Sequence, residues 1–147
     1  MLKKQEIDVL SNLRQDSRQR FTQIARKTGL HKITVSGIEK RLRKDKLIRY
    51  IPLIDFRKLG YSIMISLAIK SSDEKINEKV IDFLDNHPGM NSLSTISGRF
   101  NILAELVFKN MSEMHDFLEK VEEFDIDSMQ YHHMIEEIKK EEFLINI

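Results

Sequence analysis

Cysteine and tryptophan are absent from these 147 residues, and proline and glycine are scarce, at two and five. Without cysteine there can be no disulfide framework, no thiolate metal site and no cysteine nucleophile, a composition that fits a reducing cytoplasm. So little glycine and proline excludes a collagen-like or low-complexity chain. Long apolar runs are missing too. None approaches the roughly 18 residues of a membrane span, and the N-terminal MLKKQEIDVLSNLRQD lacks the apolar core of about 7 residues that a signal peptide needs. A soluble, cytoplasmic protein is expected. No histidines stand four apart as on a metal-binding helix, so neither a metal site nor a cofactor is expected.

What is present is an apolar fraction of 41%, enough to bury the core of one ordinary domain or two small ones. The net charge of +1 hides an asymmetry: residues 1–50 carry 14 Lys and Arg against 5 Asp and Glu, whereas the remainder carries 10 against 18. Such a split predicts two modules with different partners. The basic one suits a polyanion, because Lys and Arg contacts to phosphates release condensed counterions.

The basic module reads as three helices. Ile7, Leu10 and Leu13 share one face of the first, which ends at the polar break Asp16-Ser17. The second runs from about Phe21 to Thr28 and stops at Gly29, and the third carries Val35, Ile38 and Leu42 at helical spacing. Counted from Phe21, a helix-turn-helix needs a small fifth residue, a glycine at the ninth, and apolar residues at the fourth, tenth, fifteenth and eighteenth. Ala25, Gly29, Ile24, Leu30, Val35 and Ile38 occupy those positions. The third helix is then the reader of double-stranded DNA, presenting His31, Lys32, Thr34, Ser36, Gly37, Lys40 and Arg41. Lys32, Lys40 and Arg41 suit phosphates, and Thr34 and Ser36 are short enough to approach base edges. Gly37 invites a close backbone approach to DNA. The alternative is a three-helix bundle whose basic face is merely solvated. Leu47–Ile54 is β-prone and predicts a wing strand, with Pro52 confining it to an edge.

Residues 55–60, DFRKLG, form a linker between the module of residues 1–54 and one of residues 61–147. From Tyr61 the apolar period becomes two, with Ile63, Ile65, Leu67 and Ile69 on one face and Ser62, Met64, Ser66 and Ala68 on the other. A helix over 73–86, strands over 90–97 and 101–108, a helix carrying Met114, Phe117, Leu118 and Val121, and a strand over 126–135 complete a β-α-β-β-α-β order. The fold class is therefore α+β, a winged helix-turn-helix domain followed by a ferredoxin-like domain. Such a sheet leaves one face open, and self-association through it would place two reading helices on two half-sites. Phe143, Leu144, Ile145 and Ile147 are too apolar for a free tail and predict an extra packing or assembly segment.

Over nearly its whole length the chain resembles the Lrp/AsnC family, through IARKTGLHKITVSGIEKRLRKDKLI, DFRKLGY and SGRFNILAELVFKN. The resemblance implies a DNA-binding transcription regulator, homodimers that build octamers, and control by an amino-acid effector. Family members commonly carry glycine where Lys46 stands, arginine where Ile38 stands, and a Gly-x-x-Asp effector loop. Here Gly98 fits that loop, but Asn101 holds the acid's place and Arg99 adds a positive charge, so Gly98, Arg99 and Asn101 are either an altered effector site or simply a turn. The resemblance also leaves open a sirohaem decarboxylase, for which His115, His132, His133 and Arg99 would be the groups to inspect, and an effector-free architectural DNA-binding protein.

Overall fold

The structure, a computed structural model, describes residues 1–145, which divide into two compact units: residues 1–53 with those from 138 onward, and residues 54–137. In the first unit α1 (Lys4–Gln15), α2 (Phe21–Thr28) and α3 (Lys32–Lys44) enclose Val9, Leu13, Ile24, Ala25 and Val35. Phe21, Leu30, Ile38 and Ile48 pack around that core. α2 stops at Gly29, whose φ of 68° is left-handed, and Leu30 N–H donates to Ala25 O at 3.1 Å. That closure sets the short turn before α3. Two residues past the end of α3, Lys46 has φ 55°, a left-handed conformation that a residue bearing Cβ adopts at a cost.

The expected wing does not form. Residues 47–54 belong to no strand, and two of their amides are already spent, Leu47 and Ile48 N–H both donating to Leu42 O. Ile48 packs on the helical core, Pro52 has no N–H to offer a ladder, and Ile51, Leu53 and Ile54 are exposed. β-propensity does not make a strand without a hydrogen-bonding partner. At the other end of the chain Leu144 and Ile145 are half-buried, as a packing segment requires, whereas Phe143 is exposed; Ile147 lies outside the described residues. Arg14 Nε donates to Phe143 O at 3.0 Å and Gln15 Nε2 to Ile145 O at 2.8 Å.

In the second unit a single 3-10 turn, Phe56–Leu59, precedes β1 (Ile63–Lys70), α4 (Glu74–Asp85), β2 (Met90–Thr95), β3 (Ile102–Phe108), α5 (Met111–Glu122) and β4 (Ser128–His133). The sheet order β2-β3-β1-β4, antiparallel throughout, is the ferredoxin-like arrangement. Asp73 caps α4 by accepting from Lys75 and Ile76 N–H, and Asn110 caps α5 by accepting from Glu113 N–H. Ile65, Leu67 and Ile69 are fully buried against Val80 and Leu84 of α4 and Met114 and Val121 of α5. Each such side chain contributes roughly 1.5–3 kcal/mol by leaving water. The intervening Met64, Ser66 and Ala68 lie half-buried on the opposite, open face.

β3 is held at its end by the corner His87-Pro88-Gly89. Val107 N–H donates to Gly89 O at 2.8 Å, and a Cβ on Gly89 would lie 2.2 Å from Val107 O. Gly89 N–H donates to His87 Nδ1, and the imidazole sits 4.7 Å from the Phe117 ring centroid. Burial, then the Lys120 charge, lowers the pKa of His87 and favours the neutral ring. We expect Gly89→Ala to destabilise the second unit by about 1–3 kcal/mol, since backbone must move. Gly37→Ala, where nothing lies within 4 Å of the added carbon, should instead gain up to about 1 kcal/mol in the first. Urea denaturation of the full chain checks both signs.

Candidate nucleic-acid interface and effector loop

The orientation of α3 follows from what it buries. Val35 and Leu42 are apolar and covered, and Glu39, on the same side, is only 5% exposed. On the opposite side Ile33, Gly37, Lys40 and Lys44 recur at four-, three- and four-residue steps and form one exposed stripe. Lys32 and Thr34 are exposed beside it, and Ser36 is half-buried. His31 is the N-cap residue, extended at φ −75° and ψ 145°, with an exposed side chain and no capping bond. The structure thus brings His31, Lys32, Thr34, Gly37 and Lys40 to one accessible surface. Ile33 and Lys44 were missed by the sequence reading, although the spacing of Gly37 and Lys40 already pointed to them.

Arg41 is different. Its guanidinium forms an ion pair with Glu6 of α1, whose residue is 6% exposed and whose Oε2 also accepts from Lys3 N–H at 2.8 Å. Arg41 therefore ties α3 to α1, which competes with a role on DNA. Arg43 is likewise paired, its Nε 2.6 Å from Glu39 Oε1. Tyr50 O–H donates to the same oxygen at 3.1 Å. Burial, then the Glu39 charge, pushes the Tyr50 phenol up to about 12, so it remains a donor at neutral pH. Two of the five acids in the basic module are thus buried partners of α3 arginines.

In the SGRFN loop Gly98 has φ 121°, a conformation that favours glycine, and is exposed. Arg99 is exposed as well, with its guanidinium carbon 5.4 Å from the centroid of the Phe100 ring. Asn101 turns inward. Ser71 N–H donates to its Oδ1 at 3.0 Å, while its Nδ2 donates to Ser71 O at 2.7 Å and to Asn77 Oδ1 at 3.4 Å. The amide grips both backbone groups of a buried serine, and neither of its polar atoms is left pointing at a ligand. Two adjoining clefts share Phe83 and His87 at the far end of β3, the second also bordered by Lys109 and Lys120; Gly98, Arg99 and Asn101 line neither. His132 and His133 lie opposite Ser66 and Ile65 and so point to different faces of the sheet. Among the described residues no three His, Asp or Glu side chains converge as metal ligands, and no helix is long and apolar enough to cross a membrane.

The sequence profile of the Lrp/AsnC ligand binding domain matches residues 62–143. An HTH-type transcriptional regulator of Pyrococcus horikoshii is 30% identical over 82% of this chain and 78% of its own length. The chain belongs to the Lrp/AsnC family. The regulatory protein AsnC of Haemophilus influenzae is 25% identical over 75% of this chain and 74% of its own. Among solved structures, E. coli AsnC superimposes with a TM-score of 0.81 at 14% identity, covering 95% of this chain and 96% of that one. A Neisseria meningitidis transcriptional regulator solved with L-Met gives a TM-score of 0.84 at 17% identity, covering 95% and 94%. The Lrp/AsnC fold is therefore shared over 95% of the chain.

Two variants separate framework from surface. Arg41→Ala strands the Glu6 carboxylate with one bond and should cost about 1–3 kcal/mol, whereas Lys40→Ala should melt within about 0.5 kcal/mol of the parent. Asn101→Asp keeps the bond from Ser71 N–H but sets an anion against Ser71 O. That repulsion raises the introduced carboxyl's pKa on folding, so its penalty is full above the raised folded value, shrinks as pH falls below it, and is nearly gone once pH reaches the ordinary carboxylate value, near 4. A loss of about 1–3 kcal/mol at pH 7, largely recovered at pH 4 relative to the parent, is expected from denaturant titrations. The same loss at both pH values would contradict the clamp.

Proposed function

We propose that this Lrp/AsnC chain is a homo-oligomeric, non-enzymatic transcription regulator of the cytoplasm, in which residues 1–54 read duplex DNA, residues 55–60 are a linker, and residues 61–147 assemble the oligomer and sense an effector. The observation that carries the reading is the exposed basic stripe of α3, whose Lys32 and Lys40 hold phosphates while His31, Thr34, Ser36 and Gly37 face the base edges. Lys44 joins the phosphate contacts. The open sheet face around Met64, Ser66 and Ala68 supports a two-fold dimer, the unit from which octamers are built. An amino acid is the effector class to consider, given the L-Met complex of the Neisseria regulator. Gly98 and Arg99 are the loop groups still free to meet such a ligand, and Arg99 favours its carboxylate. Asn101 acts as a framework group.

Selection from random duplex DNA with the full chain tests the proposal. A two-fold symmetric motif is expected, with half-sites about one helical turn apart. Affinity for that motif should fall steeply with salt, and Lys40→Ala should lower the slope of log affinity against log salt by about 1. No enrichment over input would discard DNA reading; enrichment without a motif would favour the architectural reading.

A further inference from the structure

Two residues on the outward stripe of α3 do nothing for the fold. Ile33 is 86% exposed, the one large apolar side chain that α3 leaves in water. A lone exposed isoleucine is ordinary. Its neighbour makes the difference: Gly37, one turn along the same stripe, costs the helix about 1 kcal/mol relative to alanine. Nothing lies within 4 Å of where its Cβ would be, so packing within the chain does not require a glycine there. An apolar knob thus stands next to a notch, flanked by the cations Lys32, Lys40 and Lys44.

A surface that is cationic at its margins and apolar at its centre fits DNA in one specific way. Isoleucine has no donor or acceptor, so the one group it can recognise on a base edge in the major groove is the thymine C5 methyl. Placed over cytosine instead, it would cover the N4 donor without pairing it. The notch matters for depth, because a backbone without Cβ can come closer to the duplex and carry Ile33 down to the methyl. Ile33 lies in the first turn of α3, the end of a recognition helix that meets base edges. We infer that Ile33 reads a thymine methyl in each half-site and that Gly37 supplies the clearance. The inference rests on the DNA-reading function proposed above.

The probe is the selected duplex with each thymine replaced in turn by deoxyuridine, which removes the methyl and nothing else. With the full-length protein, one thymine per half-site should show an affinity loss of roughly fourfold, about the worth of one buried carbon group. Ile33→Ala and Ile33→Ser, with thermal melts matching the parent, should be indifferent to deoxyuridine at that position. Indifference of the parent at every thymine overturns the inference alone, as does a variant that keeps the full deoxyuridine penalty. Indifference of the parent overturns the inference even if both variants fold poorly, and in that event Ile33→Val, which trims a single methylene, takes their place and should show a reduced deoxyuridine penalty at that thymine. Absence of any selected site overturns this inference together with the function on which it rests.

Discussion

The surface that α3 shows to solvent is dictated by what it must hide. Val35 and Leu42 have to leave water, and at roughly 1.5–3 kcal/mol each they fix which side of the helix faces α1 and α2. The ion pairs then act as a vernier. Exposed pairs of this kind are worth little. Here the carboxylates of Glu6 and Glu39 are buried, so losing an arginine strands a charge instead of freeing one. With Arg41 held toward α1, rotation of α3 about its axis would break that pair and expose the core, whereas the Arg43–Glu39 pair lies within α3 and would turn with it. The outward stripe from Ile33 to Lys44 is the remainder.

The second unit is organised around its central strand. β3 pairs with β1 on one side and β2 on the other, and each of its ends is fixed by a contact outside the ladder. Just before it, the Asn101 amide closes both hydrogen bonds of the Ser71 peptide groups; at its end, Gly89 meets Val107 so closely that no side chain fits. A strand pinned twice cannot slip by one residue, a slip that would turn Ile102, Ala104 and Leu106 to the open face. The cluster of His87, Phe108 and Phe117 covers the second pin. Pinning β3 also fixes which residues the open face presents.

Much of this could be read from the residues. Six spaced positions across α2, the turn and α3 implied the helix-turn-helix, the change from a helical to a two-residue period at Tyr61 implied a strand, and the β-α-β-β-α-β order implied a sheet with one covered and one open face. The Lys46 turn was implied by the family resemblance, since relatives commonly carry glycine where this chain has Lys46. The wing could not. Leu47–Ile54 has strand-like composition, but strands are made by partners, and the amides of Leu47 and Ile48 are taken by Leu42 before any ladder can start. Glu6 was hidden for a similar reason, since a carboxylate thirty-five residues from an arginine declares no pairing in one dimension, nor does the Glu39–Tyr50 bond across eleven; the Glu39–Arg43 pair, four apart on one helix, is the exception.

Asn101 and Arg41 show how one residue type can be asked to do two incompatible things. An asparagine in a glycine-containing turn and an arginine on a basic helix both look outward when only their neighbours in sequence are considered. In space each meets a partner whose need is greater than that of solvent: a serine residue, 4% exposed, whose backbone N–H and C=O both want a bond, and a carboxylate with one bond of its own. Unsatisfied, such groups cost about 1–3 kcal/mol, more than a surface side chain gains by waiting for a ligand. The groups that stay free are those with no such neighbour, Arg99 on the loop and Lys40 on α3. The side chains that face solvent in this chain are therefore those that the fold does not use.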